Sequence, residues 1–109
     1  MKLPKKSYLI VFAHFDVSGV IDPYVVHYLR ALKELDCNLV FVSTTVLKNK
    51  HLIDALVDKI IERENIGYDF ISWQMGLSWV GAFESYDHVI LCNDSCYGPL
   101  SSLKKLLAN

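Results

Sequence analysis

The chain has 109 residues, 52% of them hydrophobic, which is enough for one domain with a modest core. Its net charge of −1 excludes a broad nucleic-acid surface, because such surfaces need clustered Lys and Arg side chains. No apolar run approaches the roughly 20 residues that cross a bilayer, and the N-terminus lacks a signal-peptide pattern, so we expect a cytoplasmic, non-transmembrane protein.

The first half of the chain alternates strand and helix signals. Residues 8–13 are a continuous apolar run, which predicts a strand buried on both faces of a parallel sheet. Asp22-Pro23 is typical of a helix start, and apolar residues recur at helical spacing up to Leu35, so residues 23–35 are predicted to form an amphipathic helix. Residues 39–43 read as a second buried strand.

The second half is less regular. Apolar residues three and four apart predict a helix over 51–62, followed by a polar stretch over 63–69. The aromatic stretch 70–83 is predicted to be a helix or a broken helix. Residues 89–92 read as a third core strand, and residues 100–107 as a short terminal helix.

This order predicts an α/β fold, a three-layer sandwich around a mainly parallel sheet, because parallel strands need long crossovers. Ligands of such sheets bind beyond the carboxyl ends of the strands. Here each strand end is polar: His14 and Asp16 follow the first strand, residues 43–45 end the second, and residues 93–95 end the third. We therefore expect a small-molecule site at this edge.

Each candidate side chain at this edge has two interpretations. Asp94, between Asn93 and Ser95, is either a ligand for a divalent cation bound to substrate phosphates or a turn residue. Asp16 either accepts hydrogen bonds from a base or ribose or is a loop carboxylate. His14 is either a general base or a hydrogen-bonded structural residue.

The polar stretch over 63–69 and the aromatic residues also have two interpretations each. Arg63 has the planar guanidinium suited to a pyrophosphate, but it could be a surface residue at a helix end. The aromatic set could form a sugar or base platform, although such sets are more often core; it comprises Phe70, Trp73, Trp79, Phe83 and Tyr97. The sequence contains neither a Walker-type nor a Rossmann phosphate loop.

Five stretches in order along the chain resemble the rhamnan synthesis protein F family: VFAHFD (11–16), GVIDPYVVHYLRALKEL (19–35), NLVFVSTT (38–45), RENIGYDFISW (63–73) and YDHVILCNDSCYGPL (86–100). The resemblance implies a glycosyltransferase of bacterial cell-surface polysaccharide assembly, such as lipopolysaccharide or cell-wall synthesis. It implies a nucleotide-sugar donor such as dTDP-rhamnose, a glycan acceptor, and a GT-A-like nucleotide-sugar-binding half.

The resemblance also implies residue roles. Asn93-Asp94-Ser95 takes the place of the metal-binding Asp-x-Asp motif, with Asp94 as the ligand of Mg²⁺ or Mn²⁺. Further residues implied to line the nucleotide-sugar pocket are Arg63, Asn65, Asp69, Asn93 and Ser95, with His14 and Asp16 near the nucleoside. Gln74 stands where family members usually carry Lys.

Family members continue well past residue 109, so we expect residues 1–109 to be a single domain that forms the N-terminal, donor-binding part of a longer fold. One alternative is a non-catalytic nucleotide-binding or protein-interaction module that self-associates through exposed apolar surface. A second is a metal-dependent deacetylase, because Ala13-His14-Phe15-Asp16 faintly resembles the Ala-His-Pro-Asp-Asp strand end of zinc deacetylases.

Overall fold

A computed structural model describes residues 3–4, 6–16, 18–64 and 69–93. Four strands and two helices lie within these ranges, together with single 3₁₀ turns at Lys50–Leu52 and Phe83–Ser85. In chain order the elements are β1 (Tyr8–His14), α1 (Pro23–Leu32), β2 (Cys37–Ser43), β3 (Lys59–Glu62), α2 (Asp69–Val80) and β4 (His88–Asn93). The predicted helix over 100–107 lies outside the described residues.

The four strands form one sheet in the order β3-β2-β1-β4, and every neighbouring pair is parallel. The predicted α/β class with a parallel sheet is confirmed. The central strands β1 and β2 are buried along almost their whole length, and this burial explains their continuous apolar sequences. The arrangement agrees with the GT-A-like half that the family resemblance implies.

The two faces of the sheet carry different layers. Alternate side chains of β1 point to opposite faces, as the pleat of a strand requires. Phe12 packs in a cluster with Leu29 of α1, whereas Val11 packs in a second cluster with Leu77 of α2. The sheet therefore lies between α1 and α2, which gives the three layers expected from the sequence.

The predicted helix over 51–62 is wrong. A single 3₁₀ turn and further turns occupy its first part, and its last four residues form β3. Asp58 decides the outcome: its backbone N–H donates to the Leu39 carbonyl, and its Oδ2 accepts from the Leu39 N–H, both at 2.8 Å. This clamp starts β3 beside β2, so that Ile60 and Ile61 cover opposite faces of the sheet.

The aromatic stretch forms a single helix, α2, that ends before Gly81, whose φ is +86°. Gly76 lies on the side of α2 that faces the sheet, where a Cβ atom would overlap the Val11 side chain. The absence of a side chain at Gly76 is what lets α2 pack closely on β1. Within the described ranges, no helix is long and apolar enough to span a membrane.

The strand order reverses at one point of the sheet. From β1 the chain proceeds to β2 and β3 in one direction and then returns to β4 on the other side of β1. The connection after β1 passes through α1 on one face of the sheet, whereas the connection that leads into β4 passes through α2 on the other face. Such a reversal point is where α/β sheets bind their ligands.

Candidate functional site

The polar strand ends line up along one edge of the sheet. In the strand register His14 pairs with Ser43, and Ser43 pairs with Glu62. On the other side of β1, Ala13 pairs with Asn93. All four strands therefore end at nearly the same level, and the side chains at their carboxyl ends share one rim, which we call the carboxyl rim.

His14 is built into this rim. Its Nδ1 atom and the Ser43 Oγ atom share a hydrogen bond of 2.9 Å, and both residues are buried. Ser43 Oγ also lies 3.3 Å from Thr45 Oγ1, while the imidazole stacks obliquely 5.1 Å from the Phe41 ring. These contacts hold the imidazole in one orientation, as the hydrogen-bonded interpretation of His14 predicts.

Asp16 organises the loop after β1. Its Oδ2 atom accepts hydrogen bonds from the backbone N–H groups of Ser18, at 2.9 Å, and Val20, at 3.0 Å. The Gly19 N–H donates to the Asp16 carbonyl at 3.1 Å. The Val20 N–H and, after it, the Ser18 N–H lower the pKa of this carboxyl group, because they stabilise its ionised form.

A cavity of about 370 Å³ lies beside this loop. Two partly exposed aromatic rings contribute to its wall: Phe15 is 44% exposed and Tyr24 is 37% exposed. The lining is completed by His14, Asp16, Val20, Asp22 and Val25. Sequence reasoning did not single out Phe15 or Tyr24, although an aromatic residue directly after a buried strand was a usable signal.

Replacing Asp16 by Asn is expected to lower the free energy of unfolding at neutral pH and to make it fall less as the pH is lowered. The lowered folded-state pKa means that Asp16 stabilises the fold fully above the usual aspartate pKa of about 3.9, and that this contribution disappears as the pH falls through the folded value. Urea unfolding of both proteins from neutral to acid pH tests this. The gap between them should close on acidification, and a gap that is constant with pH would contradict the role.

The first turns of α2 join the same rim from the other face of the sheet. Asp69 Oδ2 accepts a hydrogen bond of 2.9 Å from the Asn93 amide at the end of β4. Arg63 Nε donates to the buried Ser72 Oγ at 2.8 Å, one helical turn further along. Trp73 Nε1 donates to the Cys92 carbonyl at 2.9 Å. These bonds tie the start of α2 to β4 and to the end of β3.

The predicted site residues thus form two groups on one rim. His14 and Asp16 lie at the end of β1, whereas Arg63, Asp69 and Asn93 surround the start of α2. Three other predicted residues, Asn65, Asp94 and Ser95, lie outside the described residues, as does Tyr97. In the described part of the chain, no three His, Cys, Asp or Glu side chains cluster as a metal site.

The aromatic set is divided between core and surface. Trp73 and Trp79 pack against the buried cluster between the sheet and α2 that contains Val11, as the core interpretation predicts. Phe70, in contrast, is 61% exposed. One polar atom at the rim is noteworthy: Thr44 Oγ1, directly after β2, is buried and has no hydrogen-bond partner among the described residues. Sequence reasoning placed Thr44 within the polar strand end at residues 43–45 but did not single out Ser72, since nothing local marks it.

The family model for rhamnan synthesis protein F matches residues 39–109. The chain belongs to the rhamnan synthesis protein F family. The matched range begins in β2 and includes the Arg63, Asp69 and Asn93 group, whereas His14 and Asp16 precede it. The resemblance inferred from the sequence motifs is thereby confirmed.

Two curated relatives in this comparison carry the name virulence protein VirA. One is from Vibrio anguillarum strain ATCC 68554 / 775 and the other is from Vibrio anguillarum. Each is 41% identical to the chain over 64 residues, which are 56% of this chain and 21% of the relative. The chain therefore spans about a fifth of the length of these relatives. No solved structure matches it significantly.

Proposed function

We propose that the chain is the donor-binding part of a glycosyltransferase that uses a nucleotide-activated sugar in the synthesis of a bacterial cell-surface polysaccharide. Membership of a family named for rhamnan synthesis supports a role in polysaccharide synthesis. The observation that carries the donor site is the reversal of the strand order between β1 and β4, with polar side chains at the carboxyl ends of both strands. The donor to test first is dTDP-rhamnose, and the proposed location is the cytoplasm, at the inner face of the membrane.

The nucleoside is proposed to occupy the cavity beside the β1 loop. Its volume of about 370 Å³ is in the range of small-ligand pockets, and the rings of Phe15 and Tyr24 offer surfaces for a planar base. The Asp16 carboxylate, kept ionised by backbone N–H groups, repels phosphate but can accept from base or ribose hydroxyl groups. This charge favours a donor orientation with the diphosphate directed away, towards β4.

The diphosphate end is proposed to bind next to β4 and α2. There Asp94 would hold Mg²⁺ or Mn²⁺ between itself and the phosphates, since these ions need only one or two protein carboxylates. When bound, the ion supplies positive charge that stabilises the departing nucleoside diphosphate. Arg63, fixed by its bond to Ser72, adds positive charge to the same wall, and Asp69 orients the Asn93 amide. Asn65 and Ser95 are proposed to complete the pocket.

Replacing Asp94 by Asn is expected to weaken nucleotide-sugar binding in Mn²⁺ at least about tenfold and to remove its dependence on the metal. Calorimetric titration with dTDP-rhamnose and other nucleotide sugars, with and without Mn²⁺, measures this. Asp87→Asn is the matched control, because Asp87 is an exposed carboxylate just before the opposite end of the same strand. Binding that ignores both the metal and the Asp94 substitution would refute the assigned role.

A further inference from the structure

The outer edge of β4 is open in the described part of the chain. β4 pairs with β1 and is last in the strand order, so no strand lies along its other edge among the described residues. The backbone N–H and C=O groups of such an edge can pair with a further strand. Whether they do so depends on the side chains that the edge strand carries.

β4 lacks the features that protect an edge strand from pairing. Proteins protect sheet edges with charged side chains, Pro, bulges or very short strands. The six residues His88–Asn93 include no Lys, Arg, Asp, Glu or Pro, and their register with β1 has no bulge. The opposite edge strand, β3, has only four residues and carries a charged residue at each end, Lys59 and Glu62. β3 therefore resembles a protected edge, whereas β4 does not.

One face of β4 is apolar and partly exposed. In the register with β1, Val89 is level with Leu9 and Leu91 is level with Val11, so both side chains lie on the α2 face of the sheet. α2 packs on this face over β1 and β2. Val89 nevertheless remains 38% exposed and Leu91 remains 43% exposed. The open edge and the exposed apolar side chains therefore belong to the same strand.

The β4 strand of a second copy is complementary to this edge. Two identical strands that pair antiparallel about a two-fold axis perpendicular to the sheet keep each side chain on its own face. With the axis at Ile90, Val89 of each copy lies opposite Leu91 of the other, so four exposed apolar side chains form one stripe. No like charges meet, because Asp87 is then level with the uncharged Asn93 of the other copy.

The other two-fold registers of β4 fit less well. An axis at Leu91 places Val89 opposite Asn93, whose amide already donates to Asp69. An axis at Val89 places Leu91 opposite the charged Asp87. The apolar spacing over residues 100–107 predicts a helix and not a strand, so β4 of a second copy is the matching strand that the sequence supplies.

We propose that two copies of the chain associate through β4, paired antiparallel about Ile90, and form one sheet that runs through both copies. Antiparallel pairing places the carboxyl rim of each copy beside the amino ends of the strands in the other. The two rims therefore lie at opposite edges of the joined sheet. The interface does not depend on the proposed donor site, because neither Val89 nor Leu91 belongs to that site.

Sedimentation equilibrium of the whole chain, from about 10 μM to about 1 mM, tests this association. One strand pair is a small interface, so we expect a Kd on the order of 100 μM. The mass should stop at twice that of one chain, because a two-fold interface is closed. Val89→Lys and Leu91→Glu should each weaken association at least about tenfold, since each places a charge in the apolar stripe.

Val46→Lys is the matched control for these substitutions. Val46 is 78% exposed, but it lies in the loop after β2 and not on β4. This variant should therefore associate as the unmodified chain does. Circular dichroism of each variant checks that the fold is kept.

A mixture of the Val89→Lys and Leu91→Glu proteins tests the register. With the axis at Ile90, the introduced lysine of one chain lies directly opposite the introduced glutamate of the other. The mixture should therefore associate at least about fivefold more tightly than either variant alone. A mixture that associates no more tightly than its components would overturn the pairing about Ile90.

Three further results would overturn the proposal. The first is an unmodified chain that stays monomeric at the highest concentration, which would leave β4 to be covered by another segment or another protein. The second is a mass that rises beyond two chains, because the contact would then not be a closed two-fold pair. The third is a Val46→Lys variant that loses as much association as the two β4 variants, because the contact would then not be specific to β4.

Discussion

Replacing Phe41 by Ala is expected to lower the free energy of unfolding by about 3–5 kcal/mol, the usual cost of removing a large aromatic ring from a core. Phe41 is fully buried in β2, and its ring stacks 5.5 Å from Phe12 and 5.1 Å from the His14 imidazole. The cavity would lie between the sheet and α1, where Phe41 packs in one cluster with Phe12 and Leu29. Domains of this kind are stable by only about 5–15 kcal/mol, so the loss is a large share.

Urea unfolding followed by circular dichroism measures the effect. Phe41→Leu should lose less, because the leucine side chain refills most of the space. Phe70→Ala, at an exposed position, should stay within about 0.5 kcal/mol of the unmodified protein. If Phe41→Ala cost no more than the Phe70 control, the packed layer between β2 and α1 would not exist as described.

Gly19→Ala is expected to have the second large effect, a loss of about 2–5 kcal/mol. Gly19 has φ of +71°, where an L-residue costs about 1–2 kcal/mol, and its added Cβ would overlap the Val46 carbonyl oxygen, for which overpacking adds about 1–3 kcal/mol. The obstacle is backbone and cannot rotate away. The Lys48 N–H donates to the Gly19 carbonyl at 2.8 Å, so both segments must shift together.

Gly81→Ala is the matched control for this substitution. Gly81 has a similar φ of +86°, but no atom lies within 4 Å of the position of its Cβ. It should therefore lose only the backbone part, about 1–2 kcal/mol. Thermal or urea unfolding gives the loss in free energy of unfolding for each variant, and the difference between the two losses is the steric part. Equal losses would show that contact with Val46 does not restrain the loop that carries Asp16.

Local signals account for the elements that were predicted correctly. The buried strands near 8–13 and 39–43 are confirmed because long apolar runs leave few alternatives. Residues 89–92 are confirmed as a strand, but the prediction of a core strand is wrong, because β4 is last in the strand order in the described part of the chain and only Cys92 of its six side chains is buried. The helix after Asp22-Pro23 is confirmed as well, although it ends at Leu32 rather than at residue 35. The helix over 51–62 was wrong because its apolar spacing also suits turns followed by a strand, and the Asp58–Leu39 clamp selected the strand.

Part of the candidate site was predictable for a general reason. Parallel strands bring their carboxyl ends to one edge, so polar residues that follow such strands must share that edge. The individual partners were not predictable, because the hydrogen bonds His14–Ser43, Arg63–Ser72 and Asp69–Asn93 join different elements. The cavity of about 1110 Å³ between β3 and α2 was not predictable for the same reason, since its two walls come from a strand that was predicted to be helix and from the helix after it.

The amino-acid sequence by itself determined the α/β class, the polar ends of the strands and the family, because each of these depends on residue pattern and motif within short stretches. Only the tertiary structure decided the order β3-β2-β1-β4, and with it which polar side chains meet. That order depends on backbone pairing between distant residues, such as Tyr8 with His88 and Tyr8 with Cys37. Such pairing depends on how α1 and α2 pack on opposite faces of the whole sheet. No single segment of the sequence determines this packing.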